Sequence, residues 1–157
     1  MNLQEIPGVD RLPALHGPYT PDPLEKSPQR RKERKEARNK IVPSLEEAIR
    51  RSGLKDGMTI SFHHHFRGGD AIVNMVVDKL AEMGFRGLTL AASSLTTVHA
   101  PLIQHIKSGV IRRIETSGLR GRLAEAVSRG LMEIPVVFRS HGGRAYAIET
   151  GDLKIDV

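Results

Sequence analysis

Four polar turns hold most of the residues in this chain that could do chemistry. Residues 61–70 read SFHHHFRGGD, and SSLTT, TSGLRG and SHGGR follow from Ser93, Thr116 and Ser140. Arg67 precedes Gly68 and Gly69, Arg120 lies between Gly118 and Gly121, and Arg144 follows Gly142 and Gly143. A guanidinium fork grips a carboxylate or phosphate, while glycine lets backbone approach a ligand closely. In any one loop, turn-making glycines and solvated arginines would be the simpler reading. Three such loops in one chain point instead to an anionic or acyl ligand.

The histidines are less informative. Successive residues of an extended chain face opposite sides, so His63, His64 and His65 do not readily meet one metal ion. A second ligand pair at metal spacing is missing from the sequence, and no metal is expected. Hydrogen bonding to a substrate carboxylate or to nearby backbone suits them better. His99 and His141 sit in separate loops and are candidates for the same cleft. Glu115 could be a strand-end carboxylate there, although a surface ion pair is the simpler expectation. Other familiar arrangements are absent: no GxGxxG, no phosphate loop ending in Gly-Lys-Ser/Thr, and no Gly-x-Ser-x-Gly elbow around Ser117. Spacing defines no base–nucleophile pair, so the catalytic residues stay unassigned.

The elements that must place these turns follow an alternating pattern. Ser44 with Glu47 reads as a capping box, Leu45, Ala48 and Ile49 as an apolar stripe, and Gly53 as a stop. Strands are expected at 58–62, 88–92, 110–116 and 136–138. Between them, helices are marked by Ile72, Val73, Val76, Val77, Leu80 and Met83, by Pro101 with the residues to Lys107, and by Leu123, Val127 and Leu131. Asp70 is the expected cap of the first of these. Residues 145–149 and 153–157 look like a closing hairpin across Thr150-Gly151-Asp152. This rhythm predicts an α/β fold with a mostly parallel open sheet and flanking helices. Turns that follow parallel strands share one end of such a sheet, where free helix N–H groups also gather.

Residues 1–40 read as a separate leader, rich in proline (Pro18, Pro21, Pro23 and Pro28) and then basic, and residues 41–157 as the α/β domain. Between Glu25 and Lys40 there are eight Lys or Arg against three Glu, which accounts for nearly all of the chain's +6 charge. The leader has no aromatic residue from Glu25 onward for base stacking, so a nucleic-acid partner is not expected. The chain lacks cysteine, which excludes disulfides and thiolate sites. It also lacks an apolar run of about 20 residues that could cross a bilayer. A cytoplasmic protein with no membrane association is the expectation. Ile155-Asp156-Val157 reads as an interrupted strand, so an incomplete domain is expected.

Taken in order, LEEAIRRSGLKDGMTISFHHHFRGGD, LTLAASSLTTVHAPLIQHI, TSGLRGRLAEAVSRGL and SHGGR closely resemble the alpha chains of bacterial citrate lyase. The similarity runs from Ser44 to Val157, in several long segments in register. It implies a CoA-transferase-like fold and a transferase that exchanges acetyl for citrate on an acyl carrier protein, giving citryl-ACP and acetate. A beta subunit and the carrier (gamma) subunit are the implied partners, with citrate as substrate. No cofactor is expected to bind the chain directly, because the reactive thiol belongs to the CoA-derived prosthetic group of the carrier. The resemblance carries across Gly68, Gly69 and Asp70; Ser117, Gly118, Arg120 and Gly121; and His141, Gly142, Gly143 and Arg144. Family chains are much longer, and related CoA transferases place an acyl-accepting glutamate beyond the end of this sequence. Arg122 stands where many relatives have proline. Little turnover by this chain alone is therefore expected. A silent CoA- or carrier-binding module is the main alternative; a sugar-phosphate isomerase would need an acid–base pair that the residues do not supply.

Overall fold

The computed structural model describes residues 41–63 and 71–157. Ser44 caps the first helix, α1 (Leu45–Ser52): its hydroxyl accepts from the Glu47 backbone N–H at 3.1 Å. The reciprocal half of the capping box is not formed, because the Glu47 carboxylate takes the Arg51 guanidinium instead. Gly53 ends the helix in the left-handed conformation that its lack of a Cβ permits.

Four parallel strands follow: β1 (Thr59–Phe62), β2 (Leu88–Ala92), β3 (Ile111–Thr116) and β4 (Val137–Phe138). They lie side by side in chain order, and every pairing is parallel. The connections are α2 (Ile72–Glu82), a 3-10 turn (Thr97–His99) with α3 (Leu102–Lys107), and α4 (Gly121–Ser128). Crossovers of one hand between sequential strands put their helices on one face. On that face Val73, Val77 and Leu80 of α2, Leu102 of α3 and Leu123 of α4 pack with Ile60, Leu90, Ala92, Ile111 and Ile114. The predicted α/β class is thus the fold observed, and 88–92 is a strand with the expected bounds.

One irregularity decides what reaches the other face. Leu88 pairs with Ile111 but Thr89 pairs with Arg113, so Arg112 is an extra residue in β3. This bulge lets Ile111 and Ile114 both enter the core although they are three apart. It turns Arg113 and Glu115 to the opposite face, level with Thr89 and Ala91.

That opposite face carries α5 (His141–Thr150), which corrects the expected hairpin. The apolar run Ala145-Tyr146-Ala147-Ile148 suits a strand as well as a helix, but Ser140 caps a helix here by accepting from the Gly143 N–H at 3.0 Å. Ala147 then packs on Ala91 and Leu153 as a small second core. Residues 156–157 do not return along 145–149. They lie beside β1, where Val157 donates to the Thr59 carbonyl and accepts from the Ser61 N–H at 2.8 Å.

Candidate functional site

The loops after β2 and β3 are joined by their own backbones. Ser117 N–H donates to the Ser93 carbonyl, Leu95 N–H to the Gly118 carbonyl and Arg120 N–H to the Leu95 carbonyl, at 3.2, 2.8 and 2.9 Å. A parallel bridge between Leu95 and Leu119 continues the sheet past its last regular pair. The Thr116 hydroxyl closes the turn by donating to the Gly118 carbonyl at 3.0 Å. Gly121 opens α4 with φ of 65°, and a Cβ there would lie 2.8 Å from Thr97 Cγ2 and 3.1 Å from Thr97 Cα. The close approach of the two loops therefore requires glycine at that position.

Between these loops and the start of α5 is a cleft of about 530 Å³. Residues 93–96 form one wall, Ser117, Gly118 and Arg120 the other, and His141 reaches in from α5. Ser117 Oγ is buried and has no hydrogen-bond partner among the described residues. A hydroxyl in that state is a donor and acceptor held ready for a ligand or an ordered water. Arg120 is exposed at the rim, so it offers its charge with little desolvation cost.

The sequence-predicted residues thus separate into groups. Ser117, Gly118, Arg120 and His141 come together at the cleft, and Gly121 supports it from the first position of α4. Gly142 and Gly143 lie in the first turn of α5 and do not line the cleft. Arg144 points to the sheet instead, donating to Ser61 Oγ at 2.7 Å and to the Ala91 carbonyl at 3.3 Å. Burial holds its guanidinium below the ordinary value, while the charge of Glu115 acts the other way. Arg67, Gly68, Gly69 and Asp70, with His64 and His65, lie outside the described residues.

Two further candidates are resolved by packing. His99 is fully buried, and its Nδ1 accepts from the Thr96 N–H at 2.8 Å, so it shapes the loop rather than facing the cleft. Glu115 is buried on the α5 face, where Arg113 and Arg139 grip its two carboxylate oxygens at 3.0 and 3.1 Å. No carboxylate appears in the described lining of the cleft. Among the described residues no three His, Asp or Glu gather as a metal site. Nor is any helix among them long and apolar enough to cross a membrane.

Ser93, Ser94 and Thr96 also line the cleft, although their motif SSLTT lacks the glycine and charge that mark the other loops in the sequence. Its hydroxyls become significant only because the backbone ladder sets them opposite Ser117 and Gly118.

Comparison with known proteins supplies the remaining context. The family model for citrate lyase, alpha subunit (CitF) matches residues 38–157. The citrate lyase alpha chain of Klebsiella pneumoniae is 66% identical over 132 residues, which cover 84% of this chain and 26% of that one. The corresponding chain of Escherichia coli K12 is 59% identical over 135 residues, covering 85% and 26%. A Streptococcus mutans chain described as an alpha subunit of citrate lyase, crystallised in complex with citrate, superposes with a TM-score of 0.71 at 56% identity. That match covers 73% of this chain and 22% of the other. The chain spans about a quarter of the length of the curated relatives it matches. With the family model covering most of the sequence, the chain belongs to the citrate lyase alpha subunit family.

Proposed function

We propose that this chain forms the anion-binding end of a citrate lyase alpha subunit, and that the cleft between the β2 and β3 loops holds a carboxylate of citrate. The observation that supports this most is the unpartnered, buried hydroxyl of Ser117 between the serines of the first loop and Arg120. In this reading Arg120 supplies the charge-assisted grip, Ser117 donates to the same carboxylate, and His141 closes the third side. Arg67, Gly68, Gly69 and Asp70 belong to the same reading as a further anion-binding loop, by their sequence pattern alone. Gly121 sets the loop spacing, and Gly142, Gly143 and Arg144 hold the start of α5.

The proposed reaction of the whole subunit exchanges acyl groups: an acetyl thioester on the acyl carrier protein is broken, a citryl thioester forms, and acetate leaves. The thiol is that of the carrier's CoA-derived prosthetic group, and a beta subunit would then cleave the citryl thioester. The neutral hydroxyls of Ser93, Ser94 and Thr96 suit the uncharged amide section of such an arm. This chain's residues bind and orient; none of them is assigned to the covalent step.

Isothermal titration of citrate into the purified chain tests the binding. Saturable binding is expected, with Arg120→Ala weakening it about tenfold and Ser117→Ala about threefold, in line with charged and neutral hydrogen bonds. Binding that both variants leave unchanged would place citrate elsewhere. A second reading, a binding module for CoA or the carrier without turnover, is favoured by the absence of a carboxylate in the described lining. Incubation with acetyl-ACP and citrate separates the two, because citryl-ACP formed at an enzymatic rate is incompatible with a silent module.

A further inference from the structure

Behind the cleft, one carboxylate serves three guanidiniums. The side chain of Glu115 is only 5% exposed, and its two oxygens are taken by Arg113 and Arg139. Arg144 has no such partner among the described residues. Its Nη2 donates to two neutral acceptors, Ser61 Oγ and the Ala91 carbonyl, and its Nη1 is buried without an acceptor. Glu115 acts on it through space alone. Arg113 Nε is also buried and unpaired. The cluster therefore carries more positive charge than its carboxylate offsets, and a buried charge left uncompensated is costly.

Chain geometry puts this charge next to the cleft. Ser93 and Ser117, which line it, lie two residues beyond Ala91 and Glu115, a step of about 7 Å along a strand. His141, which also lines it, precedes Arg144 by three positions, roughly one turn of α5. The Arg144 guanidinium is thus roughly 10 Å from the bound ligand's place, about one Debye length at physiological salt, and its burial weakens the screening further. Charge acting at that range reads the total charge of a ligand, because the attraction scales with the product of the charges. Citrate carries about three negative charges near neutral pH and acetate about one. We propose that Arg144, left uncompensated by Glu115, sets the charge selectivity of the cleft, so that it favours a polycarboxylate over a monocarboxylate. This rests on the citrate reading above, in which citrate enters and acetate leaves.

The test titrates citrate and acetate separately at constant ionic strength, following the Gly118 backbone amide by NMR so that binding is read at the cleft itself. The quantity compared is the ratio of the two affinities. Arg144→Gln removes the charge and should lower that ratio about fivefold; Glu115→Gln removes the opposing charge and should raise it about threefold. Arg144→Lys keeps the charge and should hold the ratio within about twofold of the parent. Loss of packing alone would not move the ratio in opposite directions at 144 and 115. A ratio unchanged in Glu115→Gln, or lowered in both Gln variants, overturns the proposal, as does Arg144→Lys behaving like Arg144→Gln. Should Arg144→Gln fail to fold, the rise in Glu115→Gln still decides. If citrate leaves the Gly118 amide of the parent protein unshifted, the citrate reading falls and this proposal with it; if citrate binds there with a ratio indifferent to charge at 144 and 115, the selectivity proposal alone falls.

Discussion

The two faces of the sheet are built from the same strands under opposite rules. The helix side is dry and continuous: Leu88, Leu90 and Ile114 are buried against three helices, and their contribution scales with the apolar area removed from water. Among the described residues the α5 side buries the small apolar set Ala91, Ala147 and Leu153, with ion pairs and hydrogen bonds around it. A single inserted residue at Arg112 keeps the two programmes in register by returning Ile114 to the core after Ile111. Among the described residues the large apolar side chains gather on the helix side, while the α5 side and the carboxyl-end loops carry the polar groups.

The contrast can be broken most directly at Leu90. Leu90→Ala should cost about 2–5 kcal/mol, the range for truncating a buried leucine. Thr89→Ala, one residue away on the other face, should cost under about 1 kcal/mol. Urea unfolding of the two variants makes the comparison, and similar losses would mean that both faces contribute alike.

A smaller effect is expected at Glu115. Replacing it with Gln leaves Arg113 and Arg139 facing a neutral amide on the α5 side. A buried ion pair broken from one end costs several kcal/mol, but both arginines are partly exposed, so about 1–2 kcal/mol is expected. An unchanged urea midpoint would show that these pairs contribute nothing to stability, leaving the contacts of Ala147, Leu153 and Arg144 to hold α5.

The smallest effect concerns Asp156, which fastens the last residues to β1. The Thr59 N–H donates to its carboxylate at 2.9 Å and Lys154 lies at 3.2 Å, and these hold its pKa below the ordinary aspartate value, the backbone bond contributing most. Because the folded pKa is depressed, the stabilisation is present above the unfolded value of about 3.9 and is lost as pH falls through the folded one. Asp156→Asn should therefore flatten the loss of stability between about pH 5 and about pH 2. A variant with the same acid profile as the parent would detach this contact from the pH response.

Much of the fold was legible because apolar spacing reports local periodicity. The stripe from Val73 to Leu80 can only be a helix face, and Leu88–Ala92 only a short buried strand. α5 differs from the expected strand because Ala145 to Ile148 is a short apolar run whose spacing suits either a strand or a helix. The helix there is held by a cap at Ser140 and by an arginine that crosses 83 positions to Ser61. The candidate site was half legible. Glycine-and-arginine spacing marks Ser117 and Arg120, which line the cleft, whereas nothing in the spacing of SSLTT marks the opposite wall, and Arg144 braces the sheet instead of lining the cleft.

By itself the sequence determined the α/β rhythm, the absence of cysteine chemistry and membership of a family, since each depends on residue types and spacings within a short window. Only the tertiary structure decided which turns share a cleft, that Glu115 faces away from it, and which face of the sheet carries α5. Those outcomes depend on strand register and on helices packing across dozens of residues, and one bulge at Arg112 is enough to exchange what each face presents.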